Sequence, residues 1–153
     1  MDFAMTSSDT SDDRLAIEAI IKRQFASLNW RPGTSGDWQT FASDFHSDAA
    51  LFPAARPAKP QTAFAFIERM KGLSGSALRS FGERMLGVDI RIFGNIAMAL
   101  AACEITENDE KTTRGVEALL LVKDGDVWTI VAQAWDTERD GVTVPDDLLS
   151  GAK

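Results

Sequence analysis

Apolar and polar residues alternate with a period of two through the last third of the chain, in Ile96 to Thr106, Gly115 to Val122 and Val127 to Trp135. The pattern predicts three antiparallel strands. Asp124-Gly125, between Lys123 and Asp126, predicts a two-residue hairpin, since Asp tolerates and Gly favours the positive φ of a type I′ turn. Pairing Lys123 with Asp126 sets Leu121 opposite Trp128, Leu119 opposite Ile130 and Glu117 opposite Ala132. Centring the preceding hairpin on Asp109-Glu110 sets Leu100 opposite Leu119 and Ala102 opposite Glu117, and a slip of one residue would reverse every side chain.

On this register one face carries Met98, Leu100, Ala102, Leu119, Leu121, Trp128, Ile130, Ala132 and Ala134, with the acids Glu104, Glu117 and Asp136 gathered at one end. The other face carries small and apolar residues, among them Ala99, Ala101, Cys103, Val116, Ala118, Val131 and Trp135. A sheet apolar on both sides needs two coverings, and helices supply one while a second copy of the chain supplies the other. The interface expected is therefore Ala99, Ala101, Cys103, Val116, Ala118 and Val131, with Trp135 as its anchor. One stretch conflicts with this. Strand Phe81 to Phe93, turning at Gly94-Asn95, puts Val88, Ile90 and Ile92 on the small-residue face but Asp89 and Arg91 on the face taken as the core. A bulge near Gly87 or a solvated edge strand resolves the conflict, and the edge reading is preferred.

Helices precede the strands. Asp12 and Asp13 suit a helix start, and Ile17, Ile20, Ile21, Phe25 and Leu28 recur at helical spacing until Pro32-Gly33. Asp37 is placed to cap a short helix with Trp38, Phe41 and Phe45 on one side. A brief strand, Ala49 to Phe52, leads to the proline-rich loop Pro53 to Pro60, and Thr62 opens a third helix with Ala63, Phe66, Ile67 and Met70 inward. The chain thus predicts an α+β fold in the order α-α-β-α-β-β-β-β, with helices on the concave face of a strongly curved, mostly antiparallel mixed sheet. Residues 1–13 read as a disordered tail, 14–140 as a single domain and 141–153 as a C-terminal tail.

Composition narrows the function classes. The 153 residues include 23 acids and 16 bases, a net charge of −7 with no basic cluster, which argues against nucleic acid or an anionic membrane as partner. No stretch is long and apolar enough to span a bilayer and the start lacks a signal-peptide pattern, so a cytoplasmic location is expected. Cys103 stands alone, which rules out an internal disulfide and favours a buried, inert thiol. One His, one Cys and scattered acids offer no ligand spacing, so no metal and no cofactor are expected.

Several segments together resemble the nuclear transport factor two-like superfamily, also called cystatin-like, and within it the SnoaL-like bacterial proteins. They are Gly36-Asp37-Trp38 with Phe41, Asp48-Ala49-Ala50-Leu51, Arg114-Gly115-Val116, Asp124-Gly125-Asp126-Val127-Trp128-Thr129-Ile130 and Gln133-Ala134-Trp135-Asp136. The resemblance covers Leu15 to Asp136. It implies a conical cavity between sheet and helices, and a homodimer formed through the sheet. It does not imply one chemistry, because the superfamily holds isomerases, dehydratases, cyclases, epoxide hydrolases and binding proteins. The tyrosine of the ketosteroid isomerases is absent, and so is the second histidine of scytalone-dehydratase-like sites. What the resemblance leaves open is SnoaL-type chemistry, in which one carboxylate acts on an acidic carbon.

Glu117, Asp136 and Glu104 are the candidates for that role. A carboxylate set among apolar side chains loses hydration and a neighbouring carboxylate adds repulsion, and both raise its pKa toward the range of a general base. The ordinary alternative, preferred here, is that Arg56 or Arg69 neutralises these acids in a structural network. Trp38, Phe41, Phe52, Phe66, Met98 and Arg56 are the expected pocket lining. His46 is expected at the surface near a helix end. Two classes remain: a module binding a small molecule, and a cofactor-free acid–base enzyme acting on a small organic ring compound. The missing tyrosine and histidine tilt the choice toward binding.

Overall fold

The computed structural model describes residues 7–149. Its elements run α1 (Ser7–Ser27), α2 (Trp38–Ser43), β1 (Phe45–Phe52), α3 (Ala63–Ser74), β2 (Phe81–Phe93), β3 (Ile96–Glu107), β4 (Lys111–Asp124), β5 (Val127–Thr137) and a one-turn α4 (Asp146–Leu149). The five strands form one open sheet in the order β1-β5-β4-β3-β2, with β1 parallel to β5 and the other pairs antiparallel. The α+β architecture and the mixed sheet are as expected. No described helix is long and apolar enough to cross a membrane.

Each helix forms where an apolar stripe meets a capping residue. On α1, Ile17, Ile20, Ile21 and Phe25 are all buried, and Leu28 continues the stripe just past its end. Asp37 accepts the Thr40 N–H and hydroxyl to start α2, and Thr62 accepts the Ala65 N–H to start α3. Gly36 lies under the Trp38 indole, where a β-carbon would not fit. Phe45 opens β1 rather than closing α2, so β1 begins earlier than the expected Ala49.

The tails correct the expected boundaries. Residues 7–13 are helical, and Asp13 is buried where it accepts the Trp128 indole N–H and the Lys123 ammonium, each at 3.0 Å. A polar segment without periodicity gave no sign of this; the tie to β4 and β5 is tertiary. At the other end Val144 and Leu148 are buried with Ala102 against Leu86, Leu100 and Val116, so the segment after residue 141 covers part of the sheet's second face. Residues 1–6 and 150–153, the remainder of the two expected tails, lie outside the described residues.

Register is where the sequence reading and the structure part. The β3–β4 hairpin closes on Glu107 and Lys111 with a three-residue loop, in which Asn108 and Asp109 adopt φ of 53° and 57°. Asn and Asp tolerate this left-handed region. Asn108 is also fixed from outside, accepting the N–H groups of Arg79 and Ser80 and donating to the Ala77 carbonyl. The three-residue loop moves the pairing by one residue, so Ala101, not Ala102, lies opposite Glu117, and Ala99 lies opposite Leu119. The small-residue side of β3 is therefore the core: Ala97, Ala99, Ala101 and Cys103 are buried beneath the helices, while Met98 is 51% exposed on the far side.

This single step also removes the conflict in β2. Val88 and Ile90 join the alanines in the core, and Asp89 and Arg91 face solvent on a true edge strand. The bulge is present as well, between Met85 and Gly87. It lets Phe81 and Glu83 point inward alongside Val88 and Ile90, an alternation that two even steps could not connect.

The β4–β5 turn is also displaced. Asp124 pairs with Val127 across Gly125-Asp126 (Gly125 φ 63°), a turn one residue later than expected, which preserves the faces of Leu121, Trp128 and Ile130. A bulge at Val131 then inverts the rest of β5. Gln133 and Trp135 turn inward, and Ala132, Ala134 and Asp136 turn outward.

Candidate functional site

Three inward positions on adjacent strands meet at one place. Glu83 of β2, Cys103 of β3 and Glu117 of β4 bring their carboxylate oxygens and sulfur within 4.8 Å of one another, and all three are buried. Glu117 is opposite Ala101, whose small side chain leaves room over the strand. Next to Glu117, Gln133 of β5 donates to its Oε1 at 2.6 Å, and Gln133 and Gln24 of α1 exchange amide hydrogen bonds of 2.7 and 2.9 Å. Gln24 extends the buried stripe of α1 by one turn beyond Ile20 and Ile21. The glutamine pair ties the helix to the sheet and fixes the direction from which Glu117 receives a proton donor.

Burial raises both carboxyls. Glu83 is pushed well above the ordinary carboxylate range, by loss of hydration first and then by the charge of Glu117. Loss of hydration takes Glu117 from 4.5 to about 7, with the Gln133 amide acting in the opposite direction by stabilising the ionised form. The Cys103 thiol is pushed up by burial and by the two carboxylates, and it donates to Glu83. Two acids this close hold one proton between them at neutral pH. Gln133 favours the charge on Glu117 and the Cys103 thiol favours it on Glu83, but Glu83 also meets the charge of Glu117, which turns it toward the neutral form. These three side chains are the one group among the described residues whose donor atoms are close enough to share a metal ion, a set that no sequence spacing announced. A cation there would have to displace the protons held by the thiol and Glu83.

Both glutamates open onto a 320 Å³ cavity between α1, α2, α3 and the sheet. Phe41, Leu51, Phe66, Met70 and Trp135 form apolar walls, with Phe66 stacked on Phe41 at 5.2 Å and edge-on to Trp135 at 5.5 Å. The buried end is polar, made by Gln24, Glu83, Glu117 and Gln133. The solvent end holds Arg69, Glu107 and Lys111.

No family model and no curated protein matches the chain. Many solved structures share its fold. The hexachlorocyclohexane dehydrochlorinase LinA-type3 of Novosphingobium barchaimii LL02 aligns over 92% of this chain and 99% of its own, with TM-score 0.73 and 12% identity. An NTF2-like protein of unknown function from Pseudomonas putida KT2440 aligns over 90% and 92%, with TM-score 0.68 and 14% identity. A protein of unknown function with a cystatin-like fold from Nostoc punctiforme PCC 73102 aligns over 89% and 96%, with TM-score 0.67 and 13% identity. The fold is NTF2-like. At these identities the likeness carries the architecture and leaves the chemistry to the residues of this chain.

In this NTF2-like frame the expected site residues separate. Glu117 faces the cavity, and Phe41 and Phe66 line it. Glu104 does not: the slip of β3 puts it on the opposite face, between Arg84 at 2.8 Å and Arg114 at 3.6 Å. Asp136 is outside too, turned by the Val131 bulge, and the Arg139 guanidinium at 2.7 Å with the Thr137 N–H holds its carboxyl below the ordinary range. Trp38 packs on Gly36 and Trp30 away from the cavity. Phe52 ends β1 half-buried and outside the lining, and Met98 is on the outer face. Arg56 spends its guanidinium hydrogen bonds on the carbonyls of its own loop, Pro53, Ala54 and Ala55, and its charge acts on Asp136, outside the cavity, rather than on Glu117. Arg69 reaches the cavity but forms no ion pair with Glu117.

The expected interface separates in the same way. Ala99, Ala101 and Cys103 are buried in the core, and Trp135 is a wall of the cavity, each moved there by the hairpin slip or the bulge. Val116, Ala118 and Val131 lie away from that core face, Val116 half-buried beside α4. His46 is exposed on β1, with Nδ1 accepting the Asp48 N–H at 3.0 Å.

Glu83, Gln24 and Gln133 are the site residues that sequence reasoning missed. Gln24 carried a legible signal, since it falls on the stripe of Ile17, Ile20, Ile21 and Leu28. Glu83 and Gln133 each sit beside a bulge that reverses the alternation, so neither could be assigned a face from spacing alone.

Proposed function

We propose that the chain is a cofactor-free acid–base enzyme that moves a proton on a small organic molecule held in the sheet–helix cavity. The observation that carries this reading is the pair of buried carboxyls, Glu83 and Glu117, facing the same cavity with no arginine or lysine among the described residues paired to either. A structural network would place a cation there; a proton-transfer site needs one carboxylate and one carboxylic acid at neutral pH. Ionised Glu117, held by Gln133, is the base that accepts a proton from an acidic carbon. Protonated Glu83 is the donor that stabilises the developing oxyanion, the task that other sites give to tyrosine. The 320 Å³ volume lies at the small end of the range of about 300–1,000 Å³ typical of small-molecule sites, which suits one ring rather than several.

The working unit we propose is a cytoplasmic homodimer joined through the outer face of the sheet, where Met98 and Leu120 are 51% and 48% exposed. The test of the chemistry is deuterium wash-in from heavy water into a panel of single-ring carbonyl compounds, followed by NMR. The native chain is expected to exchange at least one member. Glu117→Gln should slow that exchange by about 100-fold or more, the scale of a lost general base. A panel without exchange, or exchange untouched by Glu117→Gln, leaves the binding role instead.

A further inference from the structure

We propose that the occupant of this cavity is a small ring compound bearing a carboxylate, its anionic group at the solvent end on Arg69 and Lys111, its ring between the apolar walls and its reacting carbonyl toward Glu83 and Glu117. This rests on the acid–base reading for what happens at the buried end, but the charge argument stands on separate residues. Arg69 from α3 and Lys111 from the first residue of β4 both line the cavity, and both are exposed. Neither side chain forms an ion pair or hydrogen bond with any described residue. Their position sets them apart: among the described lysines and arginines, Arg69 and Lys111 are the two that line the cavity, and neither charge is committed to an acid.

The cavity is therefore polarised along its length. Glu107 is the acid at the solvent end, so Arg69 and Lys111 leave a net positive charge there, while the buried end carries the shared negative charge of the glutamates. An anion is attracted to the first and repelled from the second, which fixes the direction of entry. A guanidinium and an ammonium together suit a carboxylate: Arg offers the planar fork and Lys a mobile point charge. Between them Phe66, Trp135 and Met70 give apolar walls for the body of the ligand. An amine would meet repulsion at the entrance.

The experiment titrates phenylacetate and its neutral isostere phenylacetamide into the full chain, following the Trp135 indole signal by NMR. Phenylacetate is expected to bind about tenfold tighter, the order that partly exposed ion pairs supply. Added salt should reduce the preference, and Arg69→Gln with Lys111→Gln should abolish it without unfolding, since both side chains are on the surface. Equal affinities, a preference that survives both substitutions, or no saturable binding of phenylacetate would overturn the proposal. Glu117→Gln should keep the carboxylate preference. A preserved preference with Glu117-independent exchange would sink the acid–base reading alone, and Glu117-dependent exchange without the preference would sink this inference alone.

Discussion

Glu117→Gln should make the protein more stable at alkaline pH than the native chain. Burial raises the Glu117 carboxyl from 4.5 to about 7. Between those values the folded state holds a proton that the unfolded state has released, so stability falls as pH rises through the window and stays low above it. At about 1.4 kcal/mol per pH unit, a displacement of that size corresponds to about 3 kcal/mol lost between about pH 4.5 and pH 7. Glutamine is close in shape, and its carbonyl can accept the Gln133 N–H that Glu117 accepts at 2.6 Å. The variant should therefore lack this part of the pH slope. Urea denaturation of both proteins at intervals from pH 5 to pH 9 measures it. The expected result is near equality at the acid end and a more stable variant at the alkaline end, by about 1–3 kcal/mol after relaxation of the site. A variant as pH-sensitive as the native chain, or less stable than it at pH 8, would refute the assignment of a buried, protonatable Glu117.

Two further outcomes follow from other parts of the fold. Asp13→Ala removes the acceptor shared by the Trp128 indole N–H and Lys123 and leaves a largely buried ammonium unpaired, which should cost about 2–4 kcal/mol in urea denaturation; Asp13→Asn, which keeps an acceptor, should cost less. If the outer face joins two copies, Met98→Glu with Leu120→Glu should turn a dimer into a monomer in sedimentation or light scattering with the fold retained, whereas a native chain already monomeric would exclude that interface.

The elements of this fold were legible because each depends on local period and local turn chemistry. The stripe of α1, the caps Asp37 and Thr62, and the strand from Phe81 to Phe93 all follow from neighbours in sequence. That one carboxylate, Glu117, faces inward was also legible from alternation in β4 with Leu119 and Leu121. The partner of that carboxylate was not. Glu83 reaches it across β3, and the faces of β3, β2 and β5 depend on one three-residue loop and two bulges. Because side chains in a strand alternate strictly, a one-residue change in a loop or an extra residue in a strand exchanges inside for outside along everything beyond it.

The sequence by itself thus determined the order of helices and strands, the apolar surfaces they must bury and the absence of tyrosine and of a second histidine. Tertiary structure decided which of two apolar sheet faces the helices cover, and with that which acids meet. Glu104 and Asp136 went to surface arginines, while Glu83 and Glu117 were left together away from water. Burial energies along a strand are shared by both faces when both are apolar, so composition could not choose between them. The choice fell to the loop at Asn108, held from outside by Arg79, Ser80 and Ala77, and to the bulges near Gly87 and Val131.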